Sequence, residues 1–132
     1  MFLGIFGLRG YKHELESQIA LRCASEIFET FKNQQNILQV SIGVTTGLCY
    51  CGIVGHSLRR EYSVISVTVN IAARLMMAYP NMITCDNETL LQSKMDVKHF
   101  RLLPKKKLKG LVNEVLAFEF KEELKLKNFT VK

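Results

Sequence analysis

At 132 residues and a formal net charge of +6, the chain has room for one domain and no more. Its 48% hydrophobic and 23% charged residues make an ordinary globular balance, which excludes a disordered polyelectrolyte. No apolar run reaches the roughly 18 residues of a membrane-spanning helix.

Residues 1–6 read as a strand, short, apolar and bounded by Gly7 and Gly10. They lack the basic leader and small-residue cleavage site of a signal peptide. Residues 9–13 form a turn, and a helix follows over about 14–34. In it Leu15, Ile19, Cys23, Ile27 and Phe31 recur every four residues, with Ala20, Ala24 and Phe28 beside them, and that stripe is the predicted core face. Residues 37–45 and 48–54 read as the two strands of a hairpin turned at Thr46 and Gly47. Gly43 and Gly52 inside these strands mark bulges or close backbone approach. Residues 55–60 form a polar loop, whose His56 has no acidic neighbour except Glu61 and is assigned no catalytic role.

Residues 62–65 are a short strand. Ser66 or Thr68 then caps a helix over 69–78, which stops before Tyr79 and Pro80. Residues 82–85 are a strand, and Asp86 caps a short helix over 87–93 with Leu90 and Leu91 turned inward. Residues 97–102 are another strand. Pro104 opens a basic loop over 105–110, and 114–120 form the last strand before a charged tail, 121–132. This order predicts an α+β fold, a sheet covered by helices on one face.

Nine Lys or Arg against four Glu in residues 101–132 place +5 of the net charge there. Such a surface attracts nucleotide phosphate, acidic lipid or nucleic acid. The chain lacks the aromatic-and-basic strand pattern of sheet-face RNA binders, so no nucleic-acid partner is expected. The four cysteines (Cys23, Cys49, Cys51, Cys85) show no CxxC spacing. They read as buried free thiols in a reducing, cytoplasmic setting.

The chemistry concentrates in residues 40–77, where a glycine-rich β segment, a second short strand and a helix follow one another. The helix carries Asn70 and Arg74, four residues apart and so on one face. An amide can orient a ribose there, and a guanidinium can neutralise charge on a transferring phosphorus.

The three blocks IGVTTGLCYCGIVG, EYSVI and VNIAAR, in this order, resemble the signature of the class III nucleotidyl cyclase catalytic domain. Within that family the chain is most similar to the second of the two tandem cyclase domains of the soluble, bicarbonate-responsive adenylyl cyclases of animals. The resemblance implies a ferredoxin-like α+β core and the conversion of ATP to cyclic AMP and pyrophosphate. It implies a site shared by two cyclase domains packed head to tail. One domain supplies the aspartates for two Mg²⁺ or Mn²⁺ ions, and this chain resembles the other. Asn70 matches the asparagine that holds the ribose, and Arg74 the arginine that stabilises charge on the α-phosphate. Ser63 stands where soluble enzymes carry a threonine on adenine, and it keeps the hydroxyl. Ile65 matches a residue flanking the purine, and Lys109 a lysine near the triphosphate.

Three departures accompany the match. Only two aspartates occur, Asp86 and Asp96, and neither follows an early apolar strand, so no metal is expected on this chain alone. Ser66 replaces a glycine that follows the purine-contact strand. Residues 1–7 match a point past the family's first strand, helix pair and second strand, so 1–120 is expected to be a partial domain, a fragment or truncated form, and inactive alone. An alternative consistent with the same residues is a catalytically inactive cyclase-like domain that dimerises with a true cyclase and regulates it.

Overall fold

The computed structural model describes residues 2–7, 15–37, 39–47, 50–56, 59–65, 67–106, 108 and 115–122, without side chains over 50–56 and 59–65. Three helices and six strands lie among the described residues: α1 (Glu16–Lys32), β1 (Ile42–Val44), β2 (Tyr50–His56), β3 (Arg59–Ile65), α2 (Val67–Ala78), β4 (Ile83–Asp86), α3 (Asn87–Ser93), β5 (Phe100–Leu102) and β6 (Ala117–Phe120). A single 3₁₀ turn, Val97–His99, leads into β5.

β1, β4, β6 and β5 form one sheet in that order. β1 runs parallel to β4 with Ile42 opposite Ile83, and the remaining pairs are antiparallel. β2 and β3 form a separate antiparallel ribbon, with Tyr50 opposite Ile65 and His56 opposite Arg59. The expected hairpin between 37–45 and 48–54 is therefore corrected. β1 takes its partner from beyond α2, and β2 pairs with the strand that follows it. The residues expected to form a polar loop, 55–60, largely extend this ribbon instead.

Side chains alternate across the sheet. Ile42, Val44, Ile83, Cys85, Phe118 and Phe120 gather on one face with Leu21, Ala24 and Phe28 of α1. Ala117, from the opposite face of β6, joins Leu75 and Tyr79. Gly43, between Ile42 and Val44, faces α2: a Cβ on it would overlap the Ala72 carbonyl. Helices thus cover both faces, where one covered face was expected. α1 and α3 lie on one side, joined by a 3.2 Å bond from Gln18 Nε2 to the Ser93 carbonyl, and α2 lies on the other.

α1 begins and ends close to its predicted bounds, and of the predicted stripe Ala24 and Phe28 do pack in the core, but the four-residue ladder beside them does not form its centre. Ser17, Leu21 and Ala24 are buried, while Ile19, Ile27 and Phe31 are exposed. α2 starts at Val67, so Thr68 lies within the helix rather than at its cap. Asp86 caps α3 as expected, accepting from Thr89 N at 3.0 Å. α3 turns Thr89 and Ser93 inward and leaves Leu91 59% exposed, a second correction to the predicted inward face. Its inward face is polar because Thr89 Oγ1 bonds Asp86 and Thr46, while Ser93 Oγ donates to the Leu90 carbonyl and accepts from Met95 N. Residues 2–6 are exposed and form no strand, and the predicted strand over 97–102 shortens to Phe100–Leu102 because Asp96 caps the preceding turn through Lys98 N. The predicted turn at 9–13, and Cys49, lie outside the described residues.

Candidate functional site

α2 is amphipathic. Ile71, Leu75 and Ala78 face the sheet, spaced at four and three residues, and Leu75 is wholly buried. The flank beside that stripe carries Val67, Asn70, Arg74 and Met77 at the same helical period. Asn70 is exposed and Arg74 half-buried, one turn further along. Val67 and Met77 flank them at 65% and 70% exposure. Among the described residues no side chain hydrogen-bonds or pairs with Asn70 or Arg74. The structure therefore brings the amide and the guanidinium onto one flank of α2, with an exposed apolar residue at either end.

Three contacts fix α2 against the sheet. Gly43 lies directly under Ala72, and Thr45 Oγ1 donates to the Thr68 carbonyl at 2.6 Å. At the far end, Tyr79 continues the last turn of the helix through its N–H to the Leu75 carbonyl at 3.0 Å. The Tyr79 hydroxyl donates to the Pro104 carbonyl at 2.5 Å. Burial pushes the Tyr79 phenol up, outweighing a backbone bond from Lys106, so it remains a donor at neutral pH. Lys106 Nζ donates to the Ala78 carbonyl at 2.7 Å and stands 4.8 Å from the Tyr79 ring centre.

Beside this, past the end of β1, a chain of hydroxyls runs from α1 through Thr46 and α3 to β4. Ser17 Oγ lies 3.0 Å from Thr46 Oγ1, Thr46 Oγ1 lies 2.8 Å from Thr89 Oγ1, and Thr89 Oγ1 donates to Asp86 Oδ1 at 2.5 Å. Because the Thr89 proton goes to the carboxylate, Thr46 donates to Thr89 and Ser17 to Thr46. Burial pushes the Asp86 carboxyl up, against hydrogen bonds from Thr89 and from the Thr46 backbone that favour its charge. Burial likewise pushes the neighbouring Cys85 thiol up to about 12, with the Asp86 charge adding to the shift.

Ser63 and Ile65 occupy β3, at the register positions opposite Gly52 and Tyr50. Their side chains lie outside the described residues, as does Lys109. Leu108, next to Lys109 in the chain, is buried in the same cluster as Leu75 and Tyr79. The sequence reading missed Gly43, Thr45, Tyr79 and Lys106 as supports of α2. Gly43 was marked as a place of close approach without its partner, and an aromatic with a polar tip at a helix end was the available sign for Tyr79.

Asp86 and Asp96, the two aspartates of the chain, do not fit a two-metal centre. Asp86 is engaged by Thr89 through both its N–H and its hydroxyl, and Asp96 by the Lys98 N–H. Among the described residues no three His, Cys, Asp or Glu side chains converge to hold an ion. Nor is any helix among them long and apolar enough to cross a membrane.

Residues 2–120 match the family of adenylate and guanylate cyclase catalytic domains, and the chain belongs to that family. Within it, the chain is 44% identical over 119 residues to human adenylate cyclase type 10 and 47% identical over 110 residues to the rabbit protein of the same name. These alignments cover 90% and 83% of this chain but only 7% of each relative. The fold matches the guanylate cyclase domain of RhGC from Catenaria anguillulae, solved in complex with GTP, with a TM-score of 0.73 at 20% identity, over 88% of this chain and 64% of that one. It also matches the adenylyl cyclase CyaB from P. aeruginosa, with a TM-score of 0.65 at 22% identity, over 90% of this chain and 66% of that one.

Proposed function

We propose that this chain forms one half of an adenylate cyclase site, the half that contacts the purine and stabilises the transition state. The observation that carries this reading is the flank of α2 on which Asn70 is exposed and Arg74 half-buried one turn away, bracketed by the exposed Val67 and Met77. A polar pair framed by bare apolar side chains suits a face that a second cyclase domain covers, closing a nucleotide between the two.

In the reaction the ribose 3′-hydroxyl of ATP gives up its proton to solvent as its oxygen attacks the α-phosphorus. The bond from that phosphorus to the bridging oxygen breaks, and pyrophosphate leaves with the electron pair. Asn70 orients the ribose so that the attacking oxygen lies in line. The Arg74 guanidinium lies against the α-phosphate, where negative charge redistributes as the bonds exchange. Ser63 and Ile65 contact the adenine, and Lys109 the triphosphate. Mg²⁺ or Mn²⁺ comes with the partner domain, since the aspartates of this chain are engaged in its own fold. On this proposal the reaction runs in the cytoplasm and serves intracellular signalling.

The test is cyclic AMP production from ATP with Mg²⁺ or Mn²⁺. The chain is assayed alone and mixed with the metal-binding first domain of a soluble adenylyl cyclase. Product in the mixture only is the expected result. Product from neither, with the chain folded, sinks the catalytic reading in favour of a regulatory cyclase-like domain. Product from the chain alone sinks the division of labour between the two domains.

A further inference from the structure

The two halves of α2 are held in different ways. Its deep burial lies in the second half, where Leu75 is wholly buried and Tyr79 follows it into the same cluster. In the first half Ile71 packs against that cluster half-buried, while Val67 and Asn70 are exposed. This half is gripped instead by β1 and the residues just past it. Gly43 leaves room for the Ala72 carbonyl, Thr45 Oγ1 donates to the Thr68 carbonyl at 2.6 Å, and Gly47 lies against the Thr68 methyl group. Thr68 and Ala72 stand one helical turn apart on one face. Asn70 is midway between them in the chain and about 200° round the helix from Thr68. The turn that β1 grips is therefore the turn that carries Asn70.

We propose that Thr45 is a positioning residue for the cyclase reaction: its hydroxyl sets where the first turn of α2 stands, and so where Asn70 presents its amide to the ribose. The inference rests on the reading given under Proposed function. It requires the hydroxyl and not just the side-chain volume. Valine at this position keeps the branched shape and loses the donor, whereas serine keeps the donor. The Thr68 carbonyl retains its helical partner, the Ala72 N–H, so Thr45→Val strands no acceptor and is expected to fold. A displaced first turn moves the attacking 3′-oxygen out of line, which slows the chemical step more than it weakens ATP binding. Arg74, next to the wholly buried Leu75, stays in place.

The experiment measures steady-state kinetics of cyclic AMP formation from ATP by the chain mixed with the metal-binding cyclase domain. It compares wild type, Thr45→Val, Thr45→Ser, Asn70→Ala and the double variant Thr45→Val/Asn70→Ala. Ser93→Ala serves as a control, since it removes a buried hydroxyl bond, to the Leu90 carbonyl at 2.8 Å, on the side of the sheet away from α2. The expected result is a kcat about tenfold lower in Thr45→Val, with KM for ATP within about twofold of wild type. Thr45→Ser should restore most of the lost rate, and Thr45→Val should add no further loss to Asn70→Ala. A Thr45→Val variant identical to wild type overturns the inference, as does one that raises KM and spares kcat. So does a loss that serine fails to restore, that persists in full on the Asn70→Ala background, or that Ser93→Ala reproduces. In each of these cases an active wild-type pair leaves the proposed function standing. An inactive wild-type pair removes that function and the inference with it.

Discussion

Gly43 of β1 lies so close to Ala72 of α2 that the helix backbone occupies the space a Cβ would take. The obstruction is a backbone carbonyl, which cannot swing aside like the end of a long side chain. Gly43→Ala must therefore push α2 off the sheet and strain the Thr45–Thr68 bond beside it. Overpacking of this kind costs about 1–3 kcal/mol. Urea unfolding should show a clear fall in midpoint, whereas Gly4→Ala, whose nearest neighbour is Phe6 Cε2 at 4.0 Å, should leave it unchanged. Equal midpoints for the two variants would show that α2 yields without cost.

The Asp86 carboxyl has a raised pKa because burial outweighs the hydrogen bonds it accepts. A carboxyl whose folded pKa lies above its unfolded value binds its proton more tightly in the fold. Its contribution to stability is greatest below the ordinary value of 3.8 and declines as pH rises through the folded value. Asp86→Asn cannot titrate, yet its amide oxygen still accepts from Thr89. The stability of wild type relative to Asp86→Asn should fall with rising pH across that window and level off above it. A rise instead would mean that the Thr89 bonds outweigh burial.

Cys85 is fully buried between β1 and β6, with its thiol pushed up to about 12, so it is neither accessible nor ionised at neutral pH. Cys23, on α1, is half-buried. A short iodoacetamide pulse at pH 8, read by peptide mass, should modify Cys23 well before Cys85, and urea should remove the difference. Equal rates in the native chain would show that β4 opens locally on the timescale of the pulse.

The sequence makes α1 legible as a helix and Ala24 and Phe28 as part of its core face, but centres that face on the wrong ladder, for a geometric reason. Residues four apart advance about 40° past a full turn at each step, so a strict four-residue ladder winds off any fixed face. The ladder Leu15, Ile19, Cys23, Ile27, Phe31 does this, and Ile19, Ile27 and Phe31 end up exposed. The stripe that faces the sheet, Ser17, Leu21, Ala24 and Phe28, mixes steps of three and four and includes a serine that the apolar pattern skips. β1 failed for a different reason. Its partner Ile83 lies beyond an intervening ribbon and helix, and nothing local in Ile42–Val44 names it. Asp86 as the cap of α3 was legible because capping is a local bond. Asn70 and Arg74 were legible as a pair by helical spacing. What positions them, Gly43 from beneath and Tyr79 from the end, depends on contacts between elements that no spacing rule reaches.

Arg74 and Ser63 are expected to fail differently when truncated, and the contrast tests their assignment. Under the proposed function the guanidinium of Arg74 acts where charge develops, and Arg74→Ala in the reconstituted pair should then cost about 10²-fold in kcat and little in KM. Lysine offers a point charge in place of the planar fork, so Arg74→Lys should recover only part of the loss. A variant with kcat intact and KM raised would make Arg74 a binding residue only. Under the same proposal Ser63→Ala should remove one hydrogen bond to the base, worth about 1 kcal/mol, or roughly fivefold in the preference for ATP over GTP. The ratio of kcat/KM for the two nucleotides reads this directly. It should drop while kcat for ATP holds, because the bond discriminates between purines without touching the phosphorus. An unchanged ratio would remove Ser63 from purine recognition and leave the role to the β3 backbone.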